Sequence, residues 1–166
     1  MKFKSLLVFV FTLSLSVMAH AEKVAVLGIQ EALLGSVAAE KFRESLRSEL
    51  SGDEKQVLEL EKQAKALQEK LKKNQDLASA EELQKMKLQF QKVFTQYQKM
   101  GQALQQKRAA KEQGFVADMR PVLDKVIRSL IEQENYDLVV AKEASVFARK
   151  ELDITPKVIE LLNQTK

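Results

Sequence analysis

The sequence has no cysteine and no tryptophan, and its only histidine is His20. Without cysteine there is no disulfide framework, no thiolate nucleophile and no cysteine-based metal site. A single histidine near the start leaves no Ser-His-Asp triad and none of the common zinc sites. Proline is absent until Pro121, and between residues 36 and 120 only Gly52, Gly101 and Gly114 interrupt a run of good helix formers. No glycine-rich phosphate loop is present. The adjacent carboxylates Asp53-Glu54 and Glu81-Glu82 suit helix starts and solvated faces. Catalysis finds no foothold, and no cofactor or metal is expected.

Long apolar runs are also missing beyond the first residues. Lys2 and Lys4 precede an apolar stretch over residues 6–17, and Ala19-His20-Ala21 is a small-x-small cleavage pattern. This reads as a secretory signal peptide, too short in its apolar part to span a bilayer. Cleavage after Ala21 removes 21 of 166 residues and leaves 145, enough for one exported domain without its histidine. Losing Lys2 and Lys4 takes the formal charge from +4 to +2, so electrostatic effects must be local.

Alanine, glutamate, lysine, leucine and glutamine dominate the middle of the chain, the composition of a long helix or coiled coil. Val57, Leu60, Ala64, Leu67 and Leu71 step by 3, 4, 3, 4. Leu83, Met86, Phe90, Val93, Tyr97, Met100 and Leu104 repeat the same step. Both are coiled-coil seams. Folding the chain at residue 77 sets Leu71 against Leu83, Ala64 against Phe90, Val57 against Tyr97 and Leu50 against Leu104. The spacing therefore predicts an antiparallel hairpin arm over residues 36–114, with its tip near residues 74–80. Such an arm has one narrow seam, projects from the remaining chain and flexes. Beyond residue 113 the apolar face widens, where the second helix enters a body; Pro121 should kink it or mark a restart.

The rest of the chain is short. Residues 23–29 and 137–141 read as strands, residues 145–148 as a weaker third strand, and residues 156–163 as a helix with Thr155 as N-cap. The fold class is mainly α with a small β-body, an α+β arrangement built from residues 22–35 and 115–166. If the first two strands pair, they join the two ends of the arm at its root. So little sheet leaves open edges and a meagre core. Several copies pooling their strands would complete it, with Val24, Val26, Leu27, Ile29, Leu138, Val139 and Val140 at the interface.

From residue 83 to 111 there is no acidic residue, while Lys85, Lys87, Lys92, Lys99, Lys107, Arg108 and Lys111 are basic. Lys85, Lys92 and Lys99 lie seven apart on one face, and Gln84, Gln91, Gln98 and Gln105 line the next. Lys107 and Lys111 fall at seam positions near the root of the arm. This one-sided charge favours an acidic partner, such as anionic lipid headgroups or acidic polypeptide. Nucleic acid does not suit an exported chain. Leu88 should point away from the seam and Phe94 should flank it, giving an apolar client something to touch.

The order of "EKVAVLGIQEAL", the charged helical middle, "YDLVV" and "LDITPKVIELL" resembles the Skp/OmpH family of periplasmic chaperones over nearly the whole exported chain. The resemblance implies a periplasmic homotrimer with a shared β-body and three helical hairpins around a cavity. It implies an ATP-independent holdase for unfolded outer-membrane proteins, with anionic lipid or lipopolysaccharide as a further partner. The rival readings are a coiled-coil spacer and an anionic-lipid binder without chaperone activity.

Overall fold

The computed structural model describes residues 22–165. The signal-peptide expectation therefore lies outside the described residues. Strand β1 (Val24–Leu27) leads through Gly28 into helix α1 (Ile29–Leu34). Helix α2 (Val37–Asn74) and helix α3 (Ala80–Glu134) form the hairpin. Strand β2 (Leu138–Ala141) and helix α4 (Thr155–Gln164) follow. No helix among the described residues is long and apolar enough to cross a membrane.

The hairpin follows its sequence pattern closely. Over residues 57–104 every predicted seam residue is at least half-buried, and nearly all of the flanking residues are exposed. Ala64, the small residue expected opposite Phe90, is the best covered of them at 6% exposure. Ser36 caps α2: its hydroxyl accepts from the Ala39 amide at 3.1 Å. At the tip, Ser79 and Glu82 form a reciprocal capping box, so α3 starts cleanly after the turn. With 38 residues, α2 is about 57 Å long at roughly 1.5 Å per residue.

The two strands pair in parallel, with Val24 opposite Leu138 and Leu27 opposite Ala141. Parallel strands need a crossover connection, and here the crossover is the entire arm. The buried body gathers Ala25 and Leu27 from β1, Leu123, Val126 and Leu130 from α3, and Val158 and Leu162 from α4. Gly35 lets α4 approach closely, because a Cβ there would sit 3.0 Å from Ile159. Asn163 accepts a hydrogen bond from the Val37 amide at 2.8 Å, tying α4 to the start of α2.

Three expectations change. Residues 145–148 form no strand among the described residues; Val146 and Phe147 are fully or largely exposed between two short 3-10 turns. The outer edge of β1 is met instead at Asp153, and the Ile154 amide donates to the Val26 carbonyl at 2.9 Å. Pro121 does not restart α3, which runs unbroken to Glu134. Pro121 is exposed while Leu123, Val126 and Leu130 are buried, so body packing holds the helix across the missing donor. Thr155 is the first residue of α4 rather than its cap. Its buried hydroxyl accepts from the Gly28 amide at 2.9 Å, while Asp153 accepts from the Thr155 amide at 3.0 Å.

Two ion clusters finish the root. Lys23 donates to the Glu134 carbonyl oxygen at 2.6 Å and to its carboxylate at 3.0 Å, and its ammonium lies 4.6 Å from the centre of the Tyr136 ring. Lys157 also donates to Glu134. Hydrogen bonds from Lys157 and Lys23 hold the Glu134 carboxyl down at about 2. Lys142 bridges Asp153 at 2.8 Å and Glu31 at 2.7 Å, and these bonds raise its own pKa. Each cluster joins segments far apart in sequence, one at each end of the arm.

Candidate functional site

The surface of the arm divides into two zones. From Val57 to Leu104 the helices are zipped by the apolar seam. Nearer the root, α3 from residue 105 to 114 is exposed on every residue, while Leu46 and Leu50 of α2 are buried at 6% and 0% exposure. Beyond this stretch Phe42 and Phe115 stack at 4.4 Å between ring centres. Between lies a cleft of about 520 Å³ that Phe42, Leu46 and Phe115 help to line.

Three of the nine arm residues expected to meet a partner are used in this stretch near the root. Lys107 pairs with Asp53 at 2.8 Å, Arg108 with Glu54 at 2.6 Å and Lys111 with Glu49 at 2.7 Å. The bond from Lys111 lowers the Glu49 pKa, and the bond to Asp53 raises that of Lys107. Lys107 and Lys111 were expected at seam positions, and all three cations were expected to meet a partner. Instead acidic side chains of α2 reach them. They form a clasp across the arm and contribute little positive field beyond it.

The other six sit further out. Lys85 pairs with Glu81 at 2.8 Å along its own helix. Among the described residues, Lys87, Lys92 and Lys99 form no ion pair. Leu88 is 57% exposed, as its off-seam position implied. Phe94 stacks on Phe90 at 5.5 Å and leans on Tyr97 at 6.3 Å, remaining 38% exposed. Leu88, Lys92 and Lys99 are brought together: with Gln91, Thr95 and Met100 they line a shallow groove of about 540 Å³. An apolar side chain between cations can hold a chain that is itself partly apolar and partly acidic.

At the body, the seven expected interface residues separate. Val26 and Leu27 are 5% and 2% exposed, buried by their own chain, so they offer no side chain to a neighbour. Ile29 and Leu138 are about half exposed, and Val24, Val139 and Val140 are partly covered. Within the described residues β1 is the one strand paired with β2, which leaves the outer edge of β2 open. Beside it, a groove of about 460 Å³ is lined by Ile29, Ile127, Ile131, Val139 and Val140 among others.

Sequence profiles decide the lineage. The profile of the family described as outer membrane protein (OmpH-like) matches residues 23–162. The chain belongs to the OmpH family. A Skp-like protein of Pseudomonas aeruginosa is 31% identical over 144 residues, spanning 87% of this chain and 86% of its own. The chaperone protein Skp of Vibrio cholerae is 22% identical over 154 residues, spanning 90% of this chain and 91% of its own. A crystal structure of an OmpH-like protein from Caulobacter crescentus superposes with a TM-score of 0.63 at 17% identity, covering 86% and 85% of the two chains. This OmpH-family fold is therefore the one inferred from the seams: long helical arms on a small sheet.

No cluster of three or more metal-binding side chains exists among the described residues. Sequence reasoning missed the clasp. Folding the chain at residue 77 sets Lys107 opposite Arg47 and Lys111 opposite Arg43, so the seam register by itself did not pair them with Asp53 and Glu49.

Proposed function

We propose that this OmpH-family chain is an ATP-independent holdase of the periplasm. It keeps unfolded outer-membrane proteins from aggregating and passes them on for assembly. The observation that carries the reading is the projecting arm, with Leu88, Lys92 and Lys99 sharing one groove on a surface that includes no acidic side chain. An unfolded barrel exposes apolar segments that aggregate. An arm offering many weak apolar and cationic contacts detains such a chain without needing a dominant residue.

The body supplies the second requirement. The open edge of β2 and the apolar groove beside it are satisfied by other copies, so the working unit is an oligomer, a trimer by likeness to the family. Arms hanging from a common body enclose a cavity. Free charge on Lys87, Lys92 and Lys99 speeds the encounter with acidic clients and makes it sensitive to salt. The same cations suit anionic lipid headgroups or lipopolysaccharide as secondary partners.

The test is aggregation of a urea-unfolded outer-membrane barrel on dilution, with and without the mature chain, alongside sedimentation equilibrium. Suppression by an oligomer supports the reading; a monomer at micromolar concentration that leaves aggregation unchanged refutes it. Reversing Lys85, Lys92 and Lys99 to glutamate together should slow client capture and blunt its salt dependence. Unchanged capture kinetics at low salt would remove the electrostatic part. Flotation with anionic vesicles reports the lipid partner separately.

A further inference from the structure

Eight of the residues from 84 to 106 are glutamine, on the same acid-free stretch of α3. Gln98, Gln102 and Gln105 follow one another at four and three residues, and so lie along one stripe. They form one wall of a groove of about 940 Å³, which Val57, Tyr97, Arg108 and Glu112 also line. Its floor is Gly101, where an added Cβ would meet nothing within 4 Å. The glutamine side chains that do hydrogen-bond are Gln63, Gln133 and Gln164. Gln98, Gln102 and Gln105 are exposed to solvent, and among the described residues their amides have no protein partner.

We infer that this amide-walled groove binds the backbone of an extended polypeptide, and that Gln98, Gln102 and Gln105 recognise peptide groups rather than side chains. The inference rests on the holdase reading and deepens it. A glutamine amide offers both donors and acceptors, matching the N–H and C=O that every non-proline residue carries. An unfolded chain leaves these groups bonded only to exchangeable water, whereas a folded one has spent them in its own ladders. One edge of an extended chain repeats its N–H and C=O every second residue, about 6.7 Å. Gln98 and Gln102 lie about 6 Å apart along the helix axis, a misfit that long side chains absorb. Charge is not needed for this contact, so clients of any sequence are held, while the neighbouring lysines favour acidic ones. Gly101 keeps the floor low enough for a main chain to lie between the glutamine wall and Tyr97.

The experiment uses the full mature oligomer and two fluorescent twenty-residue peptides of one unstructured sequence, the second N-methylated at alternate residues. Wild-type protein should bind the unmethylated peptide roughly tenfold more tightly, a difference of about 1.4 kcal/mol. Replacing Gln98, Gln102 and Gln105 by Met together keeps length and helix propensity and should abolish that preference. Gly101→Leu should weaken the unmethylated peptide by a similar factor while raising the melting temperature, since glycine is a poor helix former. A loss of binding together with a lower melting temperature, or a preference that survives in the Met variant, overturns the inference. So does a wild type that shows no preference, failure to bind either peptide included. In that case aggregation suppression of an unfolded barrel separates the two ideas. A wild type that still suppresses aggregation loses only the amide groove; one that does not loses the holdase reading as well.

Discussion

The body and the arm are built from the same helices yet are held by different physics. In the body, α3 is packed by β1, α1 and α4, and its inward side chains reach 1% exposure at Leu130 and 0% at Val158 on the facing helix. In the arm the same helix has one neighbour, and its seam residues are only partly buried. Hydrophobic burial is concentrated where the two ends of the chain meet. The consequence is a firm root and a yielding limb, which suits the holdase activity proposed above.

The largest expected contrast comes from matched truncations. Leu130→Ala in the body should cost about 2–5 kcal/mol, with a residual cavity. Leu67→Ala in the arm should cost no more than about half of that, because its surroundings are open and collapse readily. Urea unfolding followed by circular dichroism gives both numbers; equal losses would break the distinction between root and limb.

A smaller effect is expected at the junction of β1 and α4. Thr155→Val keeps the shape but leaves the buried Gly28 amide without its acceptor. The expected cost is about 1–3 kcal/mol. Hydrogen exchange should quicken at Gly28 and at the start of α4 and stay unchanged at the arm tip.

The smallest concerns pH. The Glu134 carboxyl is held down to about 2 by Lys157 and Lys23. A depressed folded-state pKa means that its contribution is present above the ordinary carboxylate value and is lost as pH falls through about 2. The wild-type body should therefore weaken as acid is added across that interval. Glu134→Gln should be slightly less stable at neutral pH and show a flatter acid limb. Asp153 and Glu49 are also lowered, so the variant removes one share of the slope. An acid limb identical in the two proteins would show that the Lys23–Glu134–Lys157 cluster adds nothing to the root.

Much of the arm was legible because a coiled-coil seam is a local pattern. Every residue from Val57 to Leu104 that the 3-4 spacing selects is covered, and Leu88 points outward as its phase requires. The root was less legible. Lys107 and Lys111 continue the spacing, yet both are exposed and paired with acids of α2. Which acids lie within reach is set by how the two helices approach each other, which periodicity does not encode. Residues 145–148 failed for a related reason: β-branched and aromatic content suits a strand, but a strand exists only where an edge receives it, and Asp153 and Ile154 occupy the edge of β1. The candidate site divides along the same line. Its grouping of Leu88, Lys92 and Lys99 follows from one helix, whereas the withdrawal of Lys107, Arg108 and Lys111 into a clasp depends on two.

By itself the sequence determined the hairpin and the faces its side chains take, because these follow from about 3.6 residues per turn along continuous helices. Only the tertiary structure decided that the strands run parallel, that Val26 and Leu27 are consumed by their own chain, and which cations remain free. Those outcomes turn on the angle and distance at which remote segments meet, quantities that no local spacing carries.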